Sequence, residues 1–341
     1  MWRLRERIAE LAGASGAARL IYSMTGARRD SLRVLAYHRV LDIPPEDDFP
    51  DDPELVSASV ADFAWQMNFV KRHFTPLRLS EVIHAIDSGS RLPPRSVVVT
   101  FDDGHFDNYT HAFPVLQDVG IPATIFLSTD YIGASRQFWF DRVMTLLHFA
   151  PAGRLQVCSA QVDVELTDVA SRRQTGALLV KTLKRTPEPL RQDMLDEVEE
   201  LLGGLVPPNL AQRPFAMSWD QVREMAGAGI EFGSHAMSHQ VLTMLDDDAL
   251  ALELRESRRL IQARTGQAVD TIAYPVGSAD AYDERVISYA KSCGYRLGVS
   301  YQPGINPMER LERFALTRLR VERYVSRPKF QSLLCLPGVL E

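Results

Sequence analysis

Ser96-Val97-Val98-Val99-Thr100-Phe101-Asp102-Asp103-Gly104 is a run of apolar, mostly β-branched residues that ends abruptly in two adjacent carboxylates and a glycine. A continuous apolar run of this length reads as a strand buried on both faces, as in parallel sheets and barrels. Asp102 and Asp103 then fall where the strand emerges. In α/β architectures the carboxyl ends of strands are where ligands and catalytic groups collect. Asp-Gly is also a common turn dipeptide, so taken alone the stretch is equally a strand with a plain turn behind it. What flanks it decides between the two.

Behind Gly104, residues 106–119 read as a helix stopped by Gly120, with Pro114 near its start or bending it. Ile121-Pro122 leads into a second buried strand over 123–127. Strand, helix and strand with a short return make a βαβ unit, hence a parallel sheet with right-handed crossovers. Upstream, residues 32–37 predict a strand ending at His38, and the acidic, proline-rich residues 42–54 a substrate-side loop. Phe63, Met67 and Val70 mark a helix over 60–74. Ser80 is expected to cap the next one, which turns Val82, Ile83 and Ile86 inward and stops at Gly89.

Downstream, strands are expected at 230–233, 271–274, 296–300 and 315–321. Helices separate them, one opened by a Ser218/Gln221 capping box and one capped by Asp246, running to Arg264 and stopped by Gly266. The βα alternation recurs about seven times without a sequence repeat. Between 138 and 214 it stops, and helical spacing takes over in Phe140, Val143, Met144 and Leu147, in 178–183, and in 190–202. The expected organisation is an N-terminal helical arm over 1–30 and one barrel domain over 31–341. A helical insertion at about 138–214 lies over that barrel.

Composition narrows the function classes. With 341 residues, 45% hydrophobic and 24% charged, the chain has the make-up of a globular protein. A net charge of −6 gives no electrostatic reason to expect nucleic-acid binding. Cys158, Cys293 and Cys335 form neither a zinc pattern nor a disulfide framework. The N-terminus has charges throughout and lacks the apolar core of a signal peptide, so a cytoplasmic location is expected. Leu4, Ile8 and Leu11 share one helical face with Arg3, Arg5 and Arg7 around it. Docking of this helix on its own domain is expected over association with the inner membrane surface.

Polar groups now stand at three strand ends: Asp102-Asp103, His235 with His239, and His38. A histidine pair four residues apart is weak evidence by itself. Joined to a carboxylate from a neighbouring strand end, it supplies three ligands and an open fourth position, the arrangement of a catalytic metal. T-F-D-D-G, then H-A-M-S-H, then Y-P-V-G resemble, in that order, the polysaccharide deacetylases of carbohydrate esterase family four. The resemblance implies a distorted (β/α)7 barrel that removes acetyl groups from N-acetylated sugars of a polysaccharide or glycan precursor. It implies Asp102 as general base and Asp103, His235 and His239 as ligands of one divalent metal. Zinc is expected first, and cobalt, nickel, iron or manganese suit the same ligand types.

Three features depart from the family pattern. Ala273 stands where an arginine usually pairs with the base, and Val276 replaces an aromatic residue, although its backbone N–H still suits an oxyanion. No histidine follows His239 to serve as general acid. Members similar to poly-N-acetylglucosamine deacetylases carry that histidine on the first strand, as if the motif order were circularly permuted. His38 fits that place, with His105 as its rival. Tyr274, Trp139 and Tyr109 are expected to contact sugar, as is Tyr131, with plain packing the competing explanation. Hydrolysis of another small amide, or glycan binding without catalysis, are the alternative functions.

Overall fold

The computed structural model describes residues 2–18, 20, 31–45 and 48–336. Seven parallel strands close into a ring: β1 (Ser31–Tyr37), β2 (Ser96–Phe101), β3 (Ala123–Leu127), β4 (Glu231–Ser234), β5 (Thr271–Ala273), β6 (Leu297–Pro303) and β7 (Leu316–Arg320). Order around the ring follows order in the chain, and β1 closes it by pairing with both β2 and β7. Closure leaves these strands no free edge. It is uneven: β1 and β2 align over five residue pairs, β4 and β5 meet only at Ser234 and Ile272, and the β6–β7 register shifts between Val299 and Pro303. The expected distorted (β/α)7 barrel is the fold observed.

The two-residue period of the strands sorts their side chains into two cores. Leu32, Val34, Val98, Ala273, Leu297, Val299 and Leu316 cluster inside the ring, and Leu79, Val82 and Ile83 pack against them. Leu35, Tyr37, Val97, Val99, Phe101 and Ile125 belong to the larger core under the surrounding helices. This is why apolar residues dominate both faces of β1 and β2. Both faces of each strand are covered, and every residue of both strands is buried.

The longer helices among the described residues are α1 (Trp2–Ala14), α2 (Val60–His73), α3 (Leu79–Ser88), α4 (Phe113–Val119), α5 (Trp139–Phe149), α6 (Val169–Leu183), α7 (Leu190–Leu202), α8 (Trp219–Gly227), α9 (Asp247–Thr265), α10 (Glu284–Ser292) and α11 (Arg327–Cys335). The Ser218/Gln221 box opens α8, and Asp246 caps α9, as expected. Ser80 does not cap α3. Glu81 accepts from the Arg78 backbone N–H at the cap, while Ser80 lies in the first turn and hydrogen-bonds Glu231. Ahead of α4 the backbone makes a wide turn over Asn108–Ala112, and Pro114 sits in the first turn of the helix, where a missing N–H is harmless.

α5, α6 and α7 lie in the expected insertion. It also carries an antiparallel hairpin, Gly153–Val157 with Val162–Leu166, which the helical spacing on either side concealed. The N-terminal helix docks on its own domain: α1 packs on α11, where Ser332 donates to the Ala9 carbonyl and Gly13 comes so close to Pro328 that a β-carbon has no room. Leu11 is 70% exposed instead of facing inward, and the side chains of Leu4 and Ile8 lie outside those described. Among the described residues no helix is long and apolar enough to cross a membrane.

Candidate active site

The C-terminal ends of β2 and β4 bring three side chains together. One oxygen of Asp103 lies 3.5 Å from His235 Nε2 and 3.3 Å from His239 Nε2. One ligand atom from each of the three residues falls within a 4.8 Å group, and all three residues are buried. Backbone geometry builds this convergence. Asp103, Gly104, Ala236 and His239 all take positive φ, a region that non-glycine residues rarely enter, so both strand ends fold sharply back over the barrel mouth.

The charges in this group are unbalanced. That same oxygen of Asp103 is buried and, among the described residues, has no hydrogen-bond partner. Burial, and then the charge of Asp102, push its carboxyl well above the usual range. Burial holds His235 and His239 below the usual histidine range, leaving neutral imidazoles. His235 Nδ1 lies 2.7 Å from the Ala273 carbonyl, to which it can only donate, so its lone pair is on Nε2, toward Asp103. A lone buried carboxylate facing two neutral imidazoles is costly without a cation and well suited to one. The group is therefore a candidate site for a divalent metal.

Asp102, one residue earlier, has a different partner. Arg318 of β7 is fully buried and grips it with two hydrogen bonds of 2.8 and 2.7 Å, while its Nε donates 2.6 Å to the Ser300 carbonyl. Burial works to raise the Asp102 carboxyl. The charge of Arg318 overcomes it and holds the group well below the usual carboxylate range. An arginine absent from position 273 is thus supplied by another strand. Nothing in the β7 sequence L-T-R-L-R marked Arg318 except its alternation with Leu316, which puts both inside the ring.

His38, at the end of β1, stands on the far side of Asp102 with Nε2 3.9 Å from the carboxylate. Its position is fixed through its backbone, which accepts from Asn108 at 2.7 Å and donates to Ser57 at 3.0 Å. Its side chain keeps 17% exposure, and burial lowers its pKa to about 3. His105, its rival, is 1% exposed. Its ring lies between Asp103 at 3.6 Å and Asp141 of α5 at 3.0 Å, packed on Phe138, with no route to a leaving group.

The remaining expected positions divide. Val276 sits at the same rim with φ +64°, strained for a β-branched residue, and among the described residues its N–H makes no backbone hydrogen bond. Trp139 borders the site: it is 7% exposed and its indole donates 3.3 Å to the His239 carbonyl. Tyr274 presents no surface to a ligand. It is fully buried, stacked on Tyr282 with its hydroxyl on the Phe314 carbonyl. Ala273 faces the inner core, so its neighbour must face outward. Tyr109 is not brought to the group either, because Glu224 of α8 holds its hydroxyl and its ring stacks on Phe113. Tyr131 is buried against Phe138.

Comparison with known proteins agrees with this architecture. Residues 89–298 match the polysaccharide deacetylase family, well over half of the chain. YxkH of Bacillus subtilis is 25% identical over 69% of this chain and 55% of its own length. The poly-β-1,6-N-acetyl-D-glucosamine N-deacetylase of Staphylococcus epidermidis is 39% identical over 31% of this chain and 39% of its own length. The chain thus spans about half or less of these curated relatives. Among solved structures, the Streptococcus pyogenes deacetylase PplD in complex with acetate shares the fold, with a TM-score of 0.58 at 18% identity over 91% of this chain and 98% of that one. On the family match and on the barrel that carries it, the chain belongs to the polysaccharide deacetylase family.

Proposed function

We propose that this chain removes acetyl groups from N-acetylated sugars of a poly-N-acetylglucosamine-like glycan or its precursor. The observation that carries the reading is the division between two adjacent carboxylates. Asp103 faces two neutral imidazoles, and Asp102 is kept ionised by Arg318 beside His38. A divalent cation held by Asp103, His235 and His239, zinc before cobalt, nickel, iron or manganese, would supply Lewis acidity toward water and the acetamide carbonyl.

The protein's own residues do the rest. Asp102 takes a proton from the attacking water, its place fixed by the two Arg318 hydrogen bonds. The unengaged Val276 N–H donates to the oxygen of the tetrahedral intermediate. His38, partly open to solvent, delivers a proton to the departing nitrogen so that acetate leaves. With its pKa lowered to about 3, His38 is neutral in the free protein, so the proton it delivers is the one that Asp102 takes from water and passes across the 3.9 Å between them.

Acetate release from β-1,6- and β-1,4-linked N-acetylglucosamine oligomers, measured before and after chelation, tests the reading. Asp102→Asn and His38→Ala are each expected to lose roughly 10^2–10^4-fold in kcat with metal content unchanged. Release that survives chelation would refute the metal-dependent reading. Near-normal turnover by His38→Ala would remove His38 as the acid.

A further inference from the structure

Asp103 is faced from both sides. Its Oδ1 lies toward His235 and His239, and its Oδ2 lies 3.6 Å from Nδ1 of His105. Nε2 of His105 is in turn 3.0 Å from Oδ2 of Asp141, on α5 of the insertion. Asp103, His105 and Asp141 are each no more than 2% exposed. Both ends of the insertion close on this histidine. Asp141 meets its ring from the first helix. The chain leaving the insertion bridges its backbone at Ala216, where Phe106 N–H donates to the Phe215 carbonyl at 2.9 Å and Met217 N–H to the Gly104 carbonyl at 3.0 Å.

Asp141 serves little else. The charges of Arg39 and Arg213 reach it, but both arginines are hydrogen-bonded to other carboxylates, Asp51 and Asp107. Among the described residues the one side-chain hydrogen bond of Asp141 is to His105, while its Oδ1 and His105 Nδ1 are buried without a partner. Buried polar atoms are ordinarily bonded, and the carboxylate that faces Nδ1 is Asp103. Burial, and then the charge of Arg39, hold His105 below the usual histidine range, so its ring carries a single N–H. With that N–H turned to Asp103, Nε2 accepts and Asp141 donates to it. Burial, and then the charge of Asp51, push the Asp141 carboxyl above the usual range, which suits a donor. A ligand carboxylate held through its second oxygen presents the first in one orientation.

We infer that His105 is a positioning residue for the cation-binding carboxylate, donating from Nδ1 to Oδ2 of Asp103, and that Asp141 orients it from the insertion. The insertion thereby sets how tightly the site holds its metal. The inference deepens the deacetylase reading and rests on the divalent cation in it.

Zinc affinity of the full chain, measured by competition with a chromophoric chelator, tests this without substrate. Asparagine sets its amide nitrogen near the place of Nδ1, and glutamine near that of Nε2. His105→Asn keeps a donor toward Asp103 and is expected to retain most of the affinity. His105→Gln faces Asp141 instead and is expected to lose about 10–100-fold. Asp141→Asn can still donate to Nε2 and should bind nearly as wild type, whereas Asp141→Leu should fall by a factor similar to that of His105→Gln. The visible spectrum of the cobalt-loaded chain should shift in the two weakened variants, a change that loose packing far from the ligands does not produce. Wild-type affinity in His105→Gln overturns the inference. So does an equal loss in His105→Asn and His105→Gln, which would make the ring a packing residue, or wild-type affinity in Asp141→Leu. Should a substitution at 105 prevent folding, the two Asp141 variants carry the same comparison. A wild type that binds no zinc refutes the metal reading and the inference with it. Acetate release from N-acetylglucosamine oligomers is followed on the same samples. The expected order of zinc affinities without any release would support the positioning role and count against deacetylation alone.

Discussion

Asp102 and Asp103 are neighbours in the chain and opposites in environment. Strand alternation sends Asp102 into the barrel with Thr100, where Arg318 waits. Positive φ at Asp103 turns the next carboxylate outward over the rim to His235 and His239. The arginine does more than neutralise. Without it, burial and the adjacent Asp103 would both raise the Asp102 carboxyl. With it, Asp102 is ionised throughout the neutral and mildly acidic range. Arg318→Gln removes the charge while leaving a hydrogen-bonding group. The acid limb of kcat/KM is expected to move to higher pH by about one unit or more, because the base now protonates earlier. Arg318→Lys, which keeps the charge and loses the two-pronged grip, should restore much of the limb and less of kcat. A pH–rate profile checks both. An unmoved limb in Arg318→Gln would mean that Asp102 is not the base.

At the scale of elements, the site depends on how strands end. Gly104 takes φ +87°, and a β-carbon there would meet Leu127 Cδ2 at 2.7 Å and Ile132 Cδ1 at 2.8 Å. Gly104→Ala is therefore expected to cost about 1–3 kcal/mol in denaturant unfolding and to lower metal affinity by displacing Asp103. Wild-type values for both would show that the turn is not under this constraint. The same strand ends explain what could be read without coordinates. Runs apolar on both faces, stopping at Asp102-Asp103 or at His235, announced a parallel barrel and its rim. Which of two alternating residues faces inward was not legible, since helices bury the outer face as thoroughly as the barrel buries the inner one. Tyr274 was misplaced and Arg318 overlooked for that one reason. Likewise, the hairpin at Gly153–Val157 and Val162–Leu166 escaped notice because its short strands lie between helices with strong spacing.

Across the whole molecule, ring closure lets the first strand complete a site begun on the second. β1 pairs with β2 on one side and β7 on the other, so His38, Asp102 and Arg318 converge from chain segments up to 280 residues apart, 318 less 38. That convergence concentrates buried charge, and the proposed metal site predicts that the stability of the barrel depends on a cation beside Asp103. In the metal-free chain the Asp103 carboxyl is raised when folded. Below about pH 4 it is protonated in both folded and unfolded states and has no effect. As pH rises, the unfolded chain ionises first, and stability is lost progressively toward the folded pKa. Asp103→Asn cannot ionise, so metal-free Asp103→Asn is expected to be more stable than metal-free wild type at pH 7, with the gap closing toward pH 4. Cation at about 100 times its Kd should then raise the wild type by about 2.7 kcal/mol and leave Asp103→Asn unmoved, working against the metal-free order. Denaturant titrations of both proteins, chelated and zinc-loaded, give the four values needed. A metal-free wild type as stable as Asp103→Asn at pH 7 would mean that the buried carboxylate finds its counter-charge within the chain.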